Sequence, residues 1–214
     1  MFHIPPFRTF PIIDDKSIPR VFYRVFDKKE YAEEFLNGNI WTQPISQHSI
    51  NKNNPRYDKN EGIFEDLVEI KAGMGTYRYT KLGVDYVFLV NEILKDFGEK
   101  EASLYIQGQY NSNSLSTTYI DIDNKAKSTD VITNSLKFGK YFVVFDFKSL
   151  SIPLLKYRII VDFIKYNNKL SKGPFVKNQK YSLEQEIRIL FPKISEYGKI
   201  FKIPPINGKM FEVQ

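Results

Sequence analysis

The chain has 214 residues, and 31 Lys and Arg against 25 Asp and Glu give a formal net charge of +6. Hydrophobic residues make up 42% and charged residues 26%, which excludes an intrinsically disordered chain. The lack of cysteine excludes disulfides and thiolate metal sites, and two histidines make a zinc enzyme a poor prediction. This length predicts a single domain spanning residues 1–214.

The N-terminal region predicts an extended arm and then a strand–helix–strand unit. Residues 1–20 carry four prolines, which favour an extended arm along the surface. Residues 21–26 alternate and predict a strand. Asp27 is a plausible N-cap for a helix over residues 28–37, with Gly38 at its C-terminal end. Residues 40–43 then predict a short strand.

The remainder predicts more strands than helices. Residues 45–62 are polar and predict a long loop, which is typical of functional segments. Strands are predicted at 64–71, 84–90, 141–147, 158–166 (where a helix is also compatible) and 183–191, and a hairpin joins 104–110 to 118–122. Helical segments are predicted at 91–97 and 128–138, the second capped by Ser128 or Thr129. Because strands outnumber helices, the sequence predicts an α+β fold.

No run of about 18 apolar residues predicts a membrane span, so we expect no membrane partner. The N-terminus also lacks the basic region followed by an apolar region that a signal peptide needs. Together these features predict a cytoplasmic protein. The positive charge has two interpretations, a solubilising surface or attraction to phosphates.

The segment KYSLEQEIRILFP, residues 180–192, carries two nearby carboxylates. If Glu184 and Glu186 lie on one strand, both project from one face, and the alternate apolar residues from Ile187 occupy the other face. Adjacent like charges are unfavourable unless a site uses them or a cation separates them. The alternative is a solvated strand edge on which Arg188 pairs with a neighbour.

The order of three motifs resembles that of ADP-ribosyltransferases. Arg24 lies in the opening strand VFYRVF, the polar segment NSLSTTY contains Ser116, Thr117 and Thr118, and Glu184-Gln185-Glu186 closes the series. The opening unit is similar to that of DarT-type DNA ADP-ribosyltransferase toxins. The patterns FYRVF, YAEEFLNGNI and YSLEQEIRI are also similar to a family of small, largely uncharacterised bacterial proteins. The resemblance implies a split, mixed or antiparallel β core with short flanking helices.

The resemblance also implies a site that splits NAD as a substrate and needs no metal. Glu186 is expected to stabilise the oxocarbenium as nicotinamide leaves, and Glu184 to orient or deprotonate the acceptor. A guanidinium fork suits the pyrophosphate, and an aromatic ring suits the nicotinamide. The implied NAD-binding residues are Arg24, Tyr23, Ser116 and Thr117.

The implied acceptor is a macromolecule, and the basic charge favours RNA or DNA in a toxin–antitoxin or phage-defence setting, with an antitoxin protein as a possible partner. Lys52, Arg56 and Lys59 in the long polar loop are the candidate acceptor-binding cations.

Two other functions stay open from the sequence. NPRYD…EDLVEIKAG resembles the core of Mg²⁺-dependent nucleases, in which Asp58 and Glu69 would bind the metal and Lys71 would activate water or hold phosphate. A non-enzymatic module that binds nucleic acid or protein is the second, and it would present a basic or aromatic patch without a carboxylate in a cleft.

Overall fold

A computed structural model describes residues 20–49, 61–81, 84–98, 100–110, 112–168 and 173–213. These residues form a mixed α+β structure that is built on a largely antiparallel sheet with few helices. The predicted α+β class is therefore confirmed. The expected N-terminal arm, up to residue 19, lies outside the described residues.

The described strands, in chain order, are β1 (Arg20–Phe26), β2 (Asn39–Pro44), β3 (Ile63–Lys71), β4 (Thr76–Lys81), β5 (Val84–Leu89), β6 (Glu101–Gln109), β7 (Asn113–Asp121), β8 (Tyr141–Phe145), β9 (Ile160–Phe163), β10 (Lys165–Asn167), β11 (Val176–Asn178), β12 (Glu186–Phe191), β13 (Lys199–Lys202) and β14 (Gly208–Glu212). The α-helices are α1 (Lys29–Leu36), α2 (Val90–Phe97), α3 (Lys125–Ser135) and α4 (Phe147–Leu154). Short 3₁₀ turns cover Ile45–Ser49, Leu136–Phe138, Leu155–Tyr157 and Gln179–Glu184. None of the helices in the described ranges is long and apolar enough to cross a membrane.

Strand β7 is the centre of the main sheet, and the sheet divides along one of its edges. On one edge β7 pairs with β12, which pairs with β9. On the other edge β7 pairs with β1 over residues 118–121 and with β2 over residues 113–114. From β1 the sheet continues through β8 to β14, and from β2 it continues to β13. Residues 115–117 of β7 therefore lie between two diverging branches.

The first strand–helix–strand unit follows its prediction except at the helix N-terminus. The N-cap of α1 is Lys28, which makes no side-chain capping hydrogen bond, so the prediction that Asp27 caps the helix is wrong. Gly38 has φ +84°, and a Cβ added there would lie 2.1 Å from the carbonyl oxygen of Ile203. Both the left-handed backbone and this close approach require glycine. The tight turn brings β2 back beside α1.

Apolar residues from α1, α4 and the central strands form the main core. Phe35 of α1 packs edge-on against Phe145 of β8, with ring centroids 5.3 Å apart. The alternate residues Ile187, Ile189 and Phe191 of β12 are each at most 1% exposed, as their pattern predicted. Full burial of each such side chain contributes roughly 1.5–3 kcal/mol. This core fixes the position of β12 against β7.

A polar segment accounts for the wrong prediction of a hairpin before β7. The hairpin between 104–110 and 118–122 does not form, because β6 pairs with β3 while β7 joins the main sheet. Asn113 is fully buried and donates its Nδ2 to Thr42 Oγ1 at 2.9 Å and to the Glu196 carbonyl at 2.8 Å. These partners allow a turn-like sequence to start a buried strand.

One helix and one strand begin at other residues than predicted, and one further helix was not predicted. Asn124, not Ser128 or Thr129, caps α3 by accepting from the Lys127 backbone N–H. Helix α4 was not predicted; it follows β8 directly and is capped by Asp146. The predicted strand over 183–191 begins only at Glu186, because the preceding residues form a 3₁₀ turn.

Candidate functional site

A cavity of about 580 Å³ lies where the two branches of the sheet diverge. Its lining comes from the end of β1, the start of α1, β2, the middle of β7 and the turn after α3. This volume falls within the usual range for sites that hold small molecules and cofactors. Its lining includes the side chains of Arg24, Tyr31, Trp41, Ser116 and Lys137.

Arg24 spans the gap between the two diverging strands. Its Nη1 donates a hydrogen bond to the backbone carbonyl of Ser116 on β7. The guanidinium carbon also lies 5.5 Å from the centroid of the Phe26 ring, a cation–π distance. A permanent positive charge is thereby held at the cavity wall.

Lys137 supplies a second cation from the 3₁₀ turn after α3. Its Nζ lies 3.2 Å from Asn134 Oδ1 and 3.6 Å from Glu184 Oε1. The Lys137 side chain is 40% exposed, whereas Glu184 is buried. Lys137 therefore lies between the cavity and a buried carboxylate.

Two aromatic side chains lie at the cavity with much of their surface exposed. Tyr31 is 42% exposed and Trp41 is 51% exposed, and their ring centroids are 6.4 Å apart in an edge-to-face arrangement. Exposed rings of this kind can stack on a planar base. The sequence analysis did not select either residue, although Trp41 is the only tryptophan in the chain.

Behind Ser116 lies a buried ionic cluster, which consists of Glu61, Lys177, Glu184, Glu186 and Arg188. Glu186 Oε1 accepts hydrogen bonds from Ser116 Oγ and from Arg188 Nε, the latter at 2.7 Å. Glu186 Oε2 lies 2.7 Å from Lys177 Nζ. Both carboxylate oxygens of Glu186 therefore have cationic partners.

The remaining carboxylates complete the ionic cluster. Lys177 Nζ lies 2.8 Å from Glu184 Oε2 and 3.8 Å from Glu61 Oε1. Arg188 also pairs with Glu61 and donates to the Pro174 carbonyl. Three carboxylates thus face two cations within the ionic cluster, and Lys137, 3.6 Å from Glu184 Oε1, supplies a third cation at its edge.

The pairing keeps the ionic cluster charged. Burial alone would raise the pKa of Glu186, but Arg188 and Lys177 outweigh burial and lower that pKa far below its usual range. Burial would lower the pKa of Lys177, but Glu186, Glu61 and Glu184 together raise it well above its usual value. Glu186 therefore carries a fixed negative charge at neutral pH.

The structure brings together three of the residues selected from the sequence. Arg24 binds the Ser116 backbone, and the Ser116 hydroxyl binds Glu186. These residues come from β1, β7 and β12, which are neighbours only in the folded sheet.

Glu184 reaches the same ionic cluster by another route than expected. It ends a 3₁₀ turn, and Gln185 has a left-handed backbone with φ +38° before β12 begins at Glu186. The two carboxylates therefore do not share one strand, which corrects that prediction. They converge because both contact Lys177, so a cation separates the like charges.

Tyr23 and Thr117 lie away from the cavity. The Tyr23 ring is 2% exposed, stacks on Phe142 with centroids 5.5 Å apart, and its hydroxyl is 2.8 Å from Ser135 Oγ. Thr117 is 3% exposed and projects from the opposite face of β7 to Ser116. Both are buried and neither lines this cavity, so the structure does not bring Tyr23 or Thr117 to the candidate site; another aromatic ring would be needed to stack on nicotinamide.

The other candidate residues lie apart from the cavity or outside the described residues. Lys52, Arg56, Lys59 and Asp58 fall in the segment that the structure does not describe. Glu69 and Lys71 are exposed on β3, where Glu69 accepts from Ser103 Oγ at 2.7 Å and Lys71 Nζ lies 3.7 Å from Glu101. Within the described residues, no three His, Asp or Glu side chains are arranged to hold a metal ion.

Glu61, Lys177 and Lys137 were not predicted from the sequence, and Arg188 was predicted only as a residue of a solvated strand edge. One signal was present: Arg188 is the only cation in the otherwise apolar run IRILF. A charged residue within a buried strand requires a buried counter-charge. The identity of that counter-charge is a property of the tertiary structure.

Comparison with known proteins gives no relative from which function could be transferred. No protein-family model matches the chain, and no curated protein or solved structure matches it. The functional argument therefore depends on the geometry of this site.

Proposed function

We propose that this protein is an NAD-dependent ADP-ribosyltransferase that acts on a macromolecule through the cavity in the divided sheet. One observation carries the proposal: Arg24, Ser116 and Glu186 form a continuous hydrogen-bonded series beside that cavity. The three residues come from the three motifs whose order resembles that of ADP-ribosyltransferases. Their contact supports a common site.

The lining of the cavity fits the chemical parts of NAD. Arg24 offers a forked donor set that suits the pyrophosphate. Tyr31 and Trp41, rather than Tyr23, offer exposed rings for stacking on a planar base. The volume of about 580 Å³ is in the range of cofactor sites.

The ionic cluster fits the charge that develops in the reaction. When the bond between ribose C1′ and the nicotinamide nitrogen breaks, its electron pair leaves with nicotinamide and positive charge develops on the ribose. Glu186 carries a fixed negative charge one hydroxyl away from the cavity, so it would stabilise that positive charge. A nucleophile of the acceptor then bonds to C1′ and loses its proton, which Glu184 would accept.

Nucleic acid is the proposed acceptor, because the net charge of +6 favours phosphate-rich partners. A toxin–antitoxin or phage-defence role is the proposed setting, because the opening unit resembles that of DarT-type toxins. If Lys52, Arg56 and Lys59 bind the acceptor, neutralising all three should weaken binding and reduce its salt dependence. NAD hydrolysis without acceptor should persist in that variant.

The direct test is incubation with NAD that is labelled in its adenosine part, together with total cellular RNA, DNA and protein. We expect release of nicotinamide and label in the nucleic-acid fraction. Label only in protein would overturn the proposed acceptor. Neither nicotinamide release nor label in any fraction would overturn the proposed activity.

A further inference from the structure

We infer that Lys137 is a phosphate-binding residue of the cavity, and that it exchanges its contact with Glu184 for the diphosphate group of a bound nucleotide. Arg24 would be the second cation of this site. The inference rests on the proposed function only for the identity of the nucleotide. The diphosphate chemistry is inferred from Arg24 and Lys137, which share the cavity lining with two carboxylates, Asp27 and Glu34, the latter bound by the Asn39 amide.

The position of Lys137 makes the exchange possible. Its Nζ is 3.6 Å from Glu184 Oε1, which is a long contact for a charge-assisted hydrogen bond. Its side chain is 40% exposed and lines the cavity. Its Nζ is also 3.2 Å from Asn134 Oδ1 and 4.8 Å from the centroid of the Phe138 ring, so a turn toward a phosphate would exchange these contacts as well.

Glu184 would stay in place when Lys137 turns to a phosphate. Its other oxygen, Oε2, is held at 2.8 Å by the buried Lys177. When Lys137 turns to a phosphate, Glu184 stays in place and its Oε1 loses a cationic neighbour. That oxygen is then open to a hydrogen bond from another donor. Binding of the nucleotide would thereby prepare Glu184 for the acceptor.

The competition for Lys137 also predicts the direction in which a substitution at Glu184 changes nucleotide affinity. Because Glu184 and the phosphate compete for Lys137, removing the Glu184 charge should strengthen nucleotide binding. A residue that only maintained the fold would weaken binding when it was changed. Lys177 keeps Glu186 and Glu61 as partners in Glu184→Gln, so the ionic cluster retains paired charges.

The experiment is a calorimetric titration with ADP, a diphosphate probe that needs no turnover, and with adenosine as the phosphate-free comparison. Lys137→Gln should weaken ADP binding about tenfold, which is typical of a lost charge-assisted contact. The matched control is Lys140→Gln, since Lys140 is also an exposed lysine in an ion pair, with Glu212 at 2.6 Å, and does not line the cavity. It should bind ADP like the wild type. Glu184→Gln should bind ADP about threefold more tightly, and adenosine should bind equally to all four proteins.

A measurement on the wild-type protein covers the case in which Glu184→Gln does not fold. Acylation of lysine amines, mapped by mass spectrometry, should slow at Lys137 when ADP is bound and should not change at Lys140. Equal ADP affinity of Lys137→Gln and Lys140→Gln, or unprotected Lys137, would overturn the inference. So would unchanged or weaker ADP binding by a folded Glu184→Gln. ADP binding with the expected pattern but without any turnover of NAD would support this inference and contradict the proposed function alone.

Discussion

Substitution at Glu186 and Ser116 separates a catalytic role of the ionic cluster from a purely structural one. Glu186→Gln keeps the shape of the side chain and removes its charge, which leaves Lys177 and Arg188 with fewer counter-charges. Breaking a buried ion pair costs about 3–5 kcal/mol, and the amide keeps part of the hydrogen bonding, so we expect about 3 kcal/mol. With a slope of about 3 kcal/mol/M, the urea midpoint should fall by about 1 M.

The activity of Glu186→Gln should fall by about 10²–10³ under conditions in which the variant is folded, since one well-placed electrostatic group is lost. That loss alone is ambiguous, because the same substitution weakens the fold. Ser116→Ala resolves the ambiguity: it removes one hydroxyl, while Arg188 still holds Glu186 Oε1 at 2.7 Å. We expect a stability cost of about 1 kcal/mol and roughly a tenfold loss of NAD turnover.

The matched control is Ser135→Ala. Ser135 is buried, whereas Ser116 is half-buried, but it also has one side-chain partner, the Tyr23 hydroxyl at 2.8 Å, and it lies away from the cavity. Its stability cost should be similar, and its NAD turnover should equal that of the wild type. Equal losses of activity in Ser116→Ala and Ser135→Ala would show that activity follows stability, and the proposed role of Ser116 and Glu186 would be refuted.

Four further predictions follow from the same geometry. Arg24→Ala should weaken NAD binding about tenfold or more, because a charge-assisted phosphate contact is lost; a variant that binds NAD normally would make Arg24 a structural residue. NAD should quench the fluorescence of Trp41, the only tryptophan, and Trp41→Ala should weaken NAD binding roughly tenfold with little loss of stability; no quenching would exclude stacking there. Transfer should survive EDTA, whereas Mg²⁺-dependent cleavage of nucleic acid that disappears in Lys71→Ala would favour a nuclease. The pKa of Glu186 is lowered in the folded state, so its charge contributes to stability above the unfolded pKa of about 4.3, and this contribution is lost as the pH falls below that value. The urea midpoint of Glu186→Gln, which lacks this carboxylate, should therefore fall less steeply with acid than that of the wild type.

Local patterns predicted the elements whose formation depends on local causes. Alternation predicted β1 and β2, and Gly38 marked the end of α1 because its left-handed backbone excludes other residues. The prediction for the segment that begins β7 was wrong because its Asn and Ser residues are typical of turns. Asn113 can lie in a buried strand because its amide nitrogen donates to Thr42 and to the Glu196 carbonyl, both distant in the sequence.

Only part of the candidate site could be predicted, because some of its residues have no signal in the local sequence. Arg24, Ser116 and Glu186 could be selected because a resemblance supplied their order, and the fold then brought them into contact. Glu61 and Lys177 could not be selected, because an isolated Glu or Lys in a sequence is typical of a solvated surface. Only the tertiary structure places them in a region where each requires the other.

The division of the sheet links the fold to the proposed chemistry. Strand β1 stays paired with β8 as far as Phe26 but leaves β7 after Tyr23, so the edge of β7 at residues 115–116 faces the cavity between the branches. A backbone carbonyl on such an edge needs a hydrogen-bond donor, and Arg24 provides one to Ser116. The same guanidinium that completes the strand edge thus adds positive charge at the cavity, while the Ser116 side chain binds the negative charge of Glu186 behind it. Under the proposed function, the phosphates of NAD would lie by Arg24, and the ribose that becomes cationic would lie toward Glu186.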